Sequence, residues 1–271
     1  MMDNFFSNAD KAENIRDDIA RVAEYLWNKG WAERNAGNMS VNITDLVTID
    51  HDRIKNNTLH KLRKSYASLA GQYLMISGTG TRMRDLAHDP SSNVCRIRIT
   101  DNGHAFQKIE DQYDRPQVLP TSELPAHLAI HNMIIENRRK EKAVLHTHVN
   151  ELIALTHIPA FTSEKKLNAM LTSMHPETIL FLPEGTGLVP FTIPGTEELA
   201  AKTIEKLKTH NAVIWEKHGA VAMAGTITEA FDLIDILAKS ARIYFTVRMA
   251  GHEPDGMKPG ELKKIREHYG M

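Results

Sequence analysis

The 271-residue chain has a single cysteine, Cys95. One thiol excludes an internal disulfide framework and a zinc site built from thiolates. Neither sign of charge dominates: 33 Lys and Arg face 34 Asp and Glu, a net charge of -1. That balance argues against a nucleic-acid or membrane-surface partner. No apolar run approaches the roughly 20 residues a membrane span needs. Met1-Met2-Asp3-Asn4-Phe5-Phe6 lacks a basic region followed by an apolar core, so no secretion signal is expected and the expected location is cytoplasmic. There is no Walker loop, dinucleotide fingerprint, internal repeat, low-complexity linker or composition break. What remains, with 42% apolar and 25% charged residues, is an ordinary globular chain long enough to bury a full core.

Periodicity then sets the elements. Ile15, Ile19, Val22, Ala23 and Leu26 recur at helical spacing, predicting a helix over 8–29 that Gly30 terminates. Residues 39–49 read as extended, and 51–70 as a polar surface excursion with a short helix. A strand over 72–76 enters the turn Ser77-Gly78-Thr79-Gly80. Residues 94–100 and 104–109 alternate around Asp101-Asn102-Gly103, a hairpin signal. Thr121-Ser122-Glu123-Leu124-Pro125 opens a helix to about Asn137, a hydroxyl followed by Pro in the first turn being a start signal. Further strands are predicted over 143–147, 178–182, 212–215 and 220–224. Helices are predicted over 150–156, 164–171, 196–209 and 228–250. The fold class is α/β: one domain over residues 1–271, with a central mixed, largely antiparallel sheet covered by helices on both faces.

Chemistry is carried by two histidine patterns. His146-Thr147-His148 follows an apolar run, and residues i and i+2 of a strand share a face, so both rings can converge on one ion. Alone this is weak, since a chain with this much histidine has about 0.7 such pairs by chance. A catalytic zinc site needs three protein ligands and an open position. The chosen third ligand is His218, between the apolar strand Ala212-Val213-Ile214-Trp215 and Gly219. The competing pattern is Glu123, His127 and His131, spaced i, i+4, i+8 on one helix face, without the Glu directly after the first His that metalloproteases carry.

Two carboxylates have a plain and a sharper reading. Glu123, in the first turn of its helix, is either a dipole-complementing cap or a general base beside the metal. Glu177 precedes an apolar segment where an acid is out of character unless exposed. Three turns are candidate anion sites or ordinary turns: Arg34-Asn35-Ala36-Gly37-Asn38, Ser77-Gly78-Thr79-Gly80, and Thr121-Ser122 at a helix N-terminus.

Taken in order, the segments 34–40, 77–80, 120–127, His146-Thr147-His148 and Lys217-His218-Gly219 resemble the class II aldolase/adducin family over nearly the whole chain. The resemblance implies a zinc enzyme, one Zn2+ per subunit, cleaving L-rhamnulose 1-phosphate to dihydroxyacetone phosphate and L-lactaldehyde. It implies a homotetramer with active sites near subunit interfaces, and a small sugar phosphate as partner. It makes His146, His148 and His218 the zinc ligands and Glu123 the catalytic acid/base. Glu177 becomes a second acid in the site, and Asn35, Asn38, Thr79, Thr121 and Ser122 the phosphate-holding residues. Residues 51–70 and 81–85 depart from the family pattern, and His157 stands where a Tyr is expected. Neighbouring family activities, such as another sugar-phosphate aldolase or a pentulose-phosphate epimerase, would use the same histidines. A non-catalytic adducin-type module would have no need of them.

Overall fold

The computed structural model describes residues 9–48, 58–109 and 118–271. In chain order these form α1 (Ala9–Asn28), β1 (Asn38–Asn42), β2 (Leu59–Lys61), β3 (Tyr73–Ser77), α2 (Met83–His88), α3 (Pro90–Asn93), β4 (Val94–Ile99) and β5 (Ala105–Lys108). There follow α4 (Leu124–Glu136), β6 (Ala143–Thr147), α5 (Asn150–Leu155), α6 (Glu164–Met174), α7 (Pro176–Phe181) and β7 (Gly187–Val189). The chain closes with α8 (Glu197–Leu207), β8 (Ala212–Trp215), β9 (Gly219–Ala224), α9 (Ile227–Met249) and α10 (Pro259–Tyr269).

The strands make one sheet in the order β2-β5-β4-β3-β1-β6-β9-β8-β7. Only β7 and β8 run parallel; the other pairs are antiparallel. This is the mixed, largely antiparallel sheet read from the sequence. Strand alternation sends successive side chains to opposite cores. On β6, Ala143 and Leu145 join the core formed with α1, α5, α6 and α9. Val144 joins the core under α4 and α8. Two layers of helices therefore cover the two faces.

Several boundaries differ from expectation for local reasons. The extended stretch after Met39 stops at Asn42, whose Oδ1 accepts the Thr44 N–H at 3.0 Å. That side-chain turn competes with the ladder, and Thr44–Leu46 becomes a 3-10 turn. The segment expected as a strand over 178–182 is the end of helix α7, with Pro176 in its first turn. A five-residue apolar run does not separate strand from helix by periodicity, and Pro at the first helical position favours the helix. β2, β7, α2, α3 and α10 were not foreseen. β2 shows no buried alternation and exists through pairing with β5, while β7 is only three residues long. His51, Arg53 and Lys55, part of the expected polar excursion, lie outside the described residues.

The longest helix begins with a reciprocal cap. Thr226 Oγ1 accepts from Glu229 N at 3.1 Å, and Glu229 Oε2 accepts from Thr226 N at 3.1 Å. Such caps satisfy two otherwise orphaned donors. Thr226→Ala is expected to lower unfolding free energy by about 1 kcal/mol. The readout is a lower midpoint in chemical denaturation, with metal content unchanged.

Candidate active site

The site lies where the ends of β1, β6 and β9 meet the start of α4. Asn38 of β1 stands opposite His146 of β6, and His146 stands opposite Val221 of β9. His146 therefore sits inside the sheet, on the α4 side, and is 1% exposed. His148 follows just past the strand end, its N–H donated to Trp31 O at 3.0 Å. Thr147 Oγ1 donates to the same carbonyl at 2.7 Å. These two bonds tie the loop after α1 to the end of β6.

His218 arrives on the tight connection between β8 and β9. Trp215 pairs with Gly219, so only three residues make the turn. Lys217 takes the left-handed conformation, φ 59°, and donates its N–H to Thr156 Oγ1 at 2.9 Å. Gly219 is required for contact reasons. A Cβ there would lie 2.4 Å from Thr147 O and 3.1 Å from His146 Cε1. The indole of Trp215 is the floor of the site. His146 packs on it at 4.5 Å and His218 stacks on it at 5.1 Å between ring centroids. Its Nε1 donates to Thr203 Oγ1 of α8 at 2.9 Å, which fixes the ring.

The structure brings the three predicted ligands together. One ligand atom from each of His146, His148 and His218 lies within 4.8 Å of the others. Their outer nitrogens decide the tautomers. His146 Nδ1–H donates to Ala220 O at 3.0 Å, and His148 Nδ1–H donates to Glu33 Oε1 at 2.7 Å. Each bond leaves Nε2 with a lone pair, as metal-ligating histidines require. His146 Nε2 is buried and has no hydrogen-bond partner, and the same holds for His218 Nδ1. Burial, followed by the charge on His148, pushes His146 well below its ordinary pKa. Burial and His146 push His218 down to about 3. Neutral imidazoles at His146 and His218, each with an unpartnered buried nitrogen, fit a metal ion.

Glu123 faces this cluster. Its carboxylate is 3.4 Å from His146 Nε2 and 3.7 Å from His218 Nε2. It occupies the N-cap position of α4, yet its side chain makes no cap bond. The capping reading is thereby replaced: the carboxylate turns into the site, and the Glu123 N–H is taken by Thr121 Oγ1 at 3.3 Å.

The cleft in front of the cluster has a volume of about 430 Å³ and is lined by Asn35, Asn38, Thr121, Ser122, Gly78 and Gly80 among others. Asn35 and Ser122 are exposed into it, and Thr121 is buried. Asn38 has a further task, because its Nδ2 donates to Glu123 Oε2 at 2.9 Å. Thr79 itself does not line the cleft; its backbone N–H is spent on Leu119 O at 2.7 Å. Its glycine neighbours form the wall instead.

Two expectations are corrected. Glu177 is not brought to this cluster by its own chain. It sits in the first turn of α7, more than half exposed, with Oε2 on His175 Nδ1 at 2.6 Å. That bond holds its carboxyl below the usual range. The helix-only metal site is also absent among the described residues. His127 and His131 share one face of α4 as predicted, but that face is buried and Ser40 Oγ bonds both, at 2.7 and 2.8 Å. They are satisfied core histidines.

Sequence reasoning missed Glu33, which orients His148, and Trp215, the floor; Arg34, part of a turn already singled out as a candidate anion site, lines the cleft with φ 51°. The spacing of Trp215 three residues before His218 was the available hint for the floor.

The fold and this site define the protein's class. Residues 17–245 match the family described as Class II Aldolase and Adducin N-terminal domain, and the chain belongs to that family. Among curated relatives, a rhamnulose-1-phosphate aldolase of Bacteroides thetaiotaomicron is 43% identical over 93% of this chain and 93% of its own. One of Mannheimia succiniciproducens is 30% identical over 91% of this chain and 90% of its own. Among solved structures, a sugar-phosphate aldolase from Thermotoga maritima superposes with a TM-score of 0.76 at 33% identity, covering 90% of this chain and 99% of that one.

Two outcomes follow. Gly219→Ala must displace the Thr147 carbonyl or the His146 ring. It is expected to weaken metal affinity about 10- to 100-fold, measured by competition with a colorimetric chelator. The second concerns pH. Burial holds His131 down to about 3 and His127 well below its ordinary value. The folded pKa is the lower one, so this stability is fully present above about 6.5 and is lost as pH falls toward 3. Between pH 7.5 and 5.5 the metal-free protein should lose about 1 kcal/mol through His131. His131→Leu should remove that part of the pH dependence in chemical denaturation.

Proposed function

We propose that this chain is a cytoplasmic, zinc-dependent aldolase that reversibly cleaves L-rhamnulose 1-phosphate to dihydroxyacetone phosphate and L-lactaldehyde. The carrying observation is one carboxylate, Glu123, set 3.4 and 3.7 Å from two of three converging histidines. The choice of sugar is supported by the names and near-full-length coverage of the curated relatives. His146, His148 and His218 would hold the ion. A three-nitrogen donor set suits zinc, and bound there the ion supplies Lewis-acid stabilisation of negative charge developing on a substrate carbonyl.

The chain's own groups do the rest. Cleavage breaks C3–C4 of the ketose. The electron pair passes to C3, in conjugation with the C2 carbonyl, while the C4 hydroxyl loses its proton and becomes the aldehyde. Glu123, having taken up a proton from solvent water, delivers it to C3 and completes dihydroxyacetone phosphate, returning as the carboxylate; in condensation the carboxylate removes that proton. Asn35, Thr121 and Ser122 bind the phosphate with an amide and two hydroxyls at the N-terminus of α4, with Gly78 and Gly80 lining the same cleft and Asn38 flanking them. The α4 dipole favours an anion there. This anchoring orients C3 toward Glu123.

The proposal includes a homotetramer. Glu177 is exposed and outside its own cleft, so it enters the reaction only as a residue reaching a neighbouring subunit's site, where it would accept the C4 hydroxyl proton.

A coupled assay for dihydroxyacetone phosphate tests the reading. Rapid release from rhamnulose 1-phosphate, slow release from fuculose 1-phosphate, and loss of both in chelator are expected. Equal rates on both sugars, or full activity in chelator, would overturn the assignment. His146→Ala should remove bound zinc, measured by elemental analysis. Glu123→Ala should keep zinc and lose about 100-fold or more in kcat.

A further inference from the structure

A line of buried polar groups runs from Glu123 into the protein beneath α4, and the proposed reaction leaves it unexplained. Asn38 Nδ2 meets Glu123 Oε2 at 2.9 Å. Asn38 Oδ1 meets His127 Nε2 at 2.5 Å. His127 Nδ1 meets Ser40 Oγ at 2.7 Å, and Ser40 Oγ meets His131 Nε2 at 2.8 Å. Every member is buried. Asn38 and Ser40 lie two apart on β1, so they share the face under α4; Glu123, His127 and His131 share one face of that helix's start and body. The network is therefore a seam between one strand and one helix.

The chemistry of each group orders the hydrogens. A carboxylate only accepts, so Asn38 must present its N–H to Glu123 and its carbonyl oxygen to His127. His127 must then donate from Nε2. Burial keeps it neutral, so Nδ1 accepts. Ser40 has one hydrogen, which it gives to His127 Nδ1. Its oxygen in turn accepts from Nε2–H of His131, also neutral by burial. Each donor points toward the next group in one direction, ending on the carboxylate. Aligned bonds of this kind polarise one another.

We propose that His127, Ser40 and His131 are positioning residues: they lock the Asn38 amide with its N–H toward Glu123 and so hold the catalytic carboxylate against the metal site. Reversing any link has a definite consequence. A His127 protonated at Nδ1 rather than Nε2 would need a donor from Asn38. The amide would flip and place its oxygen against the carboxylate, driving Glu123 from its place. The proposal rests on the aldolase reading for its kinetic consequence and not for its structural one.

The experiment has a structural and a kinetic arm. In metal-free protein with 15N-labelled histidine at pH 7.5, His127 and His131 should both give the Nε2–H tautomer, assigned by loss of signals in His127→Gln and His131→Gln. In zinc-loaded enzyme, His127→Leu should lower kcat by about 10- to 100-fold, with zinc content and KM within twofold of wild type. His127→Gln, whose amide can donate where Nε2–H stood, should recover most of that loss. In a Glu123→Ala background, His127→Leu should cost nothing further, because its effect passes through the carboxylate. Ser40→Ala serves in the same cycle if His127→Leu fails to fold. An Nδ1–H tautomer at His127, absence of rescue by Gln, or an equal loss in the Glu123→Ala background overturns the proposal. If wild type releases no dihydroxyacetone phosphate, the aldolase reading fails while the tautomers still decide the seam.

Discussion

The arrangement on which the rest depends is the contact between the buried Nε2 of His146 and the Glu123 carboxylate, 3.4 Å away. His146 gives its only hydrogen to Ala220 O, so a lone pair faces an acceptor and neither satisfies the other. Buried polar groups without partners are costly, and native proteins retain them for a reason. Protonating His146 would repair the contact, yet its burial opposes that. A cation held by the three imidazoles would resolve the conflict. The site is in this sense incomplete in its protein atoms alone, and the fold holds it there.

The holding comes from the sheet. β1 and β9 flank β6, and their registers set Asn38 and Val221 beside His146. His148 hangs past the strand end and needs Glu33 to aim it. His218 needs the tight β8–β9 turn, a strained Lys217 and a side-chain-free Gly219. Trp215 then supports two rings from below and is itself pinned from α8. The ligands are thus carried by three neighbouring strand ends, and the acid is carried by a helix packed over them. Rigid elements suit a site in which one ångström of displacement matters.

What was legible in the sequence was whatever had a short-range period or a distinctive residue. The His-x-His pair on a strand, His218 beside Gly219, the hairpin around Asn102-Gly103 and the helix opening at Thr121 all belong to that kind. The apolar run Thr178-Ile179-Leu180-Phe181-Leu182 was not decidable, because five residues fit either period; Pro176 was the clue that favours a helix. Glu177 moved with it, from the start of an expected strand to the first turn of α7, where it bonds His175 rather than facing the histidine cluster. The partners of the ligands were invisible for another reason. Glu33 meets His148 across 115 positions, and Ser40 meets His131 across 91. No local pattern encodes such pairings; they follow from the register of a sheet already built.

The two histidine sets make the distinction concrete. His127 and His131 satisfy the spacing for a metal pair on a helix as well as His146 and His148 do on a strand. Residue type and spacing do not separate them. What separates them is where the second nitrogen goes. In the helix pair the inward nitrogens meet a serine hydroxyl and an amide, so the set is complete. In the strand pair, the outward nitrogens meet a carbonyl and a carboxylate while the inward ones face open space and an acid. Asn38 joins the two sets, with one end on each. A neutral amide can hold Glu123 without neutralising it, as Lys or Arg in that place would. A carboxylate that must take and return a proton is better held by a donor that carries no charge.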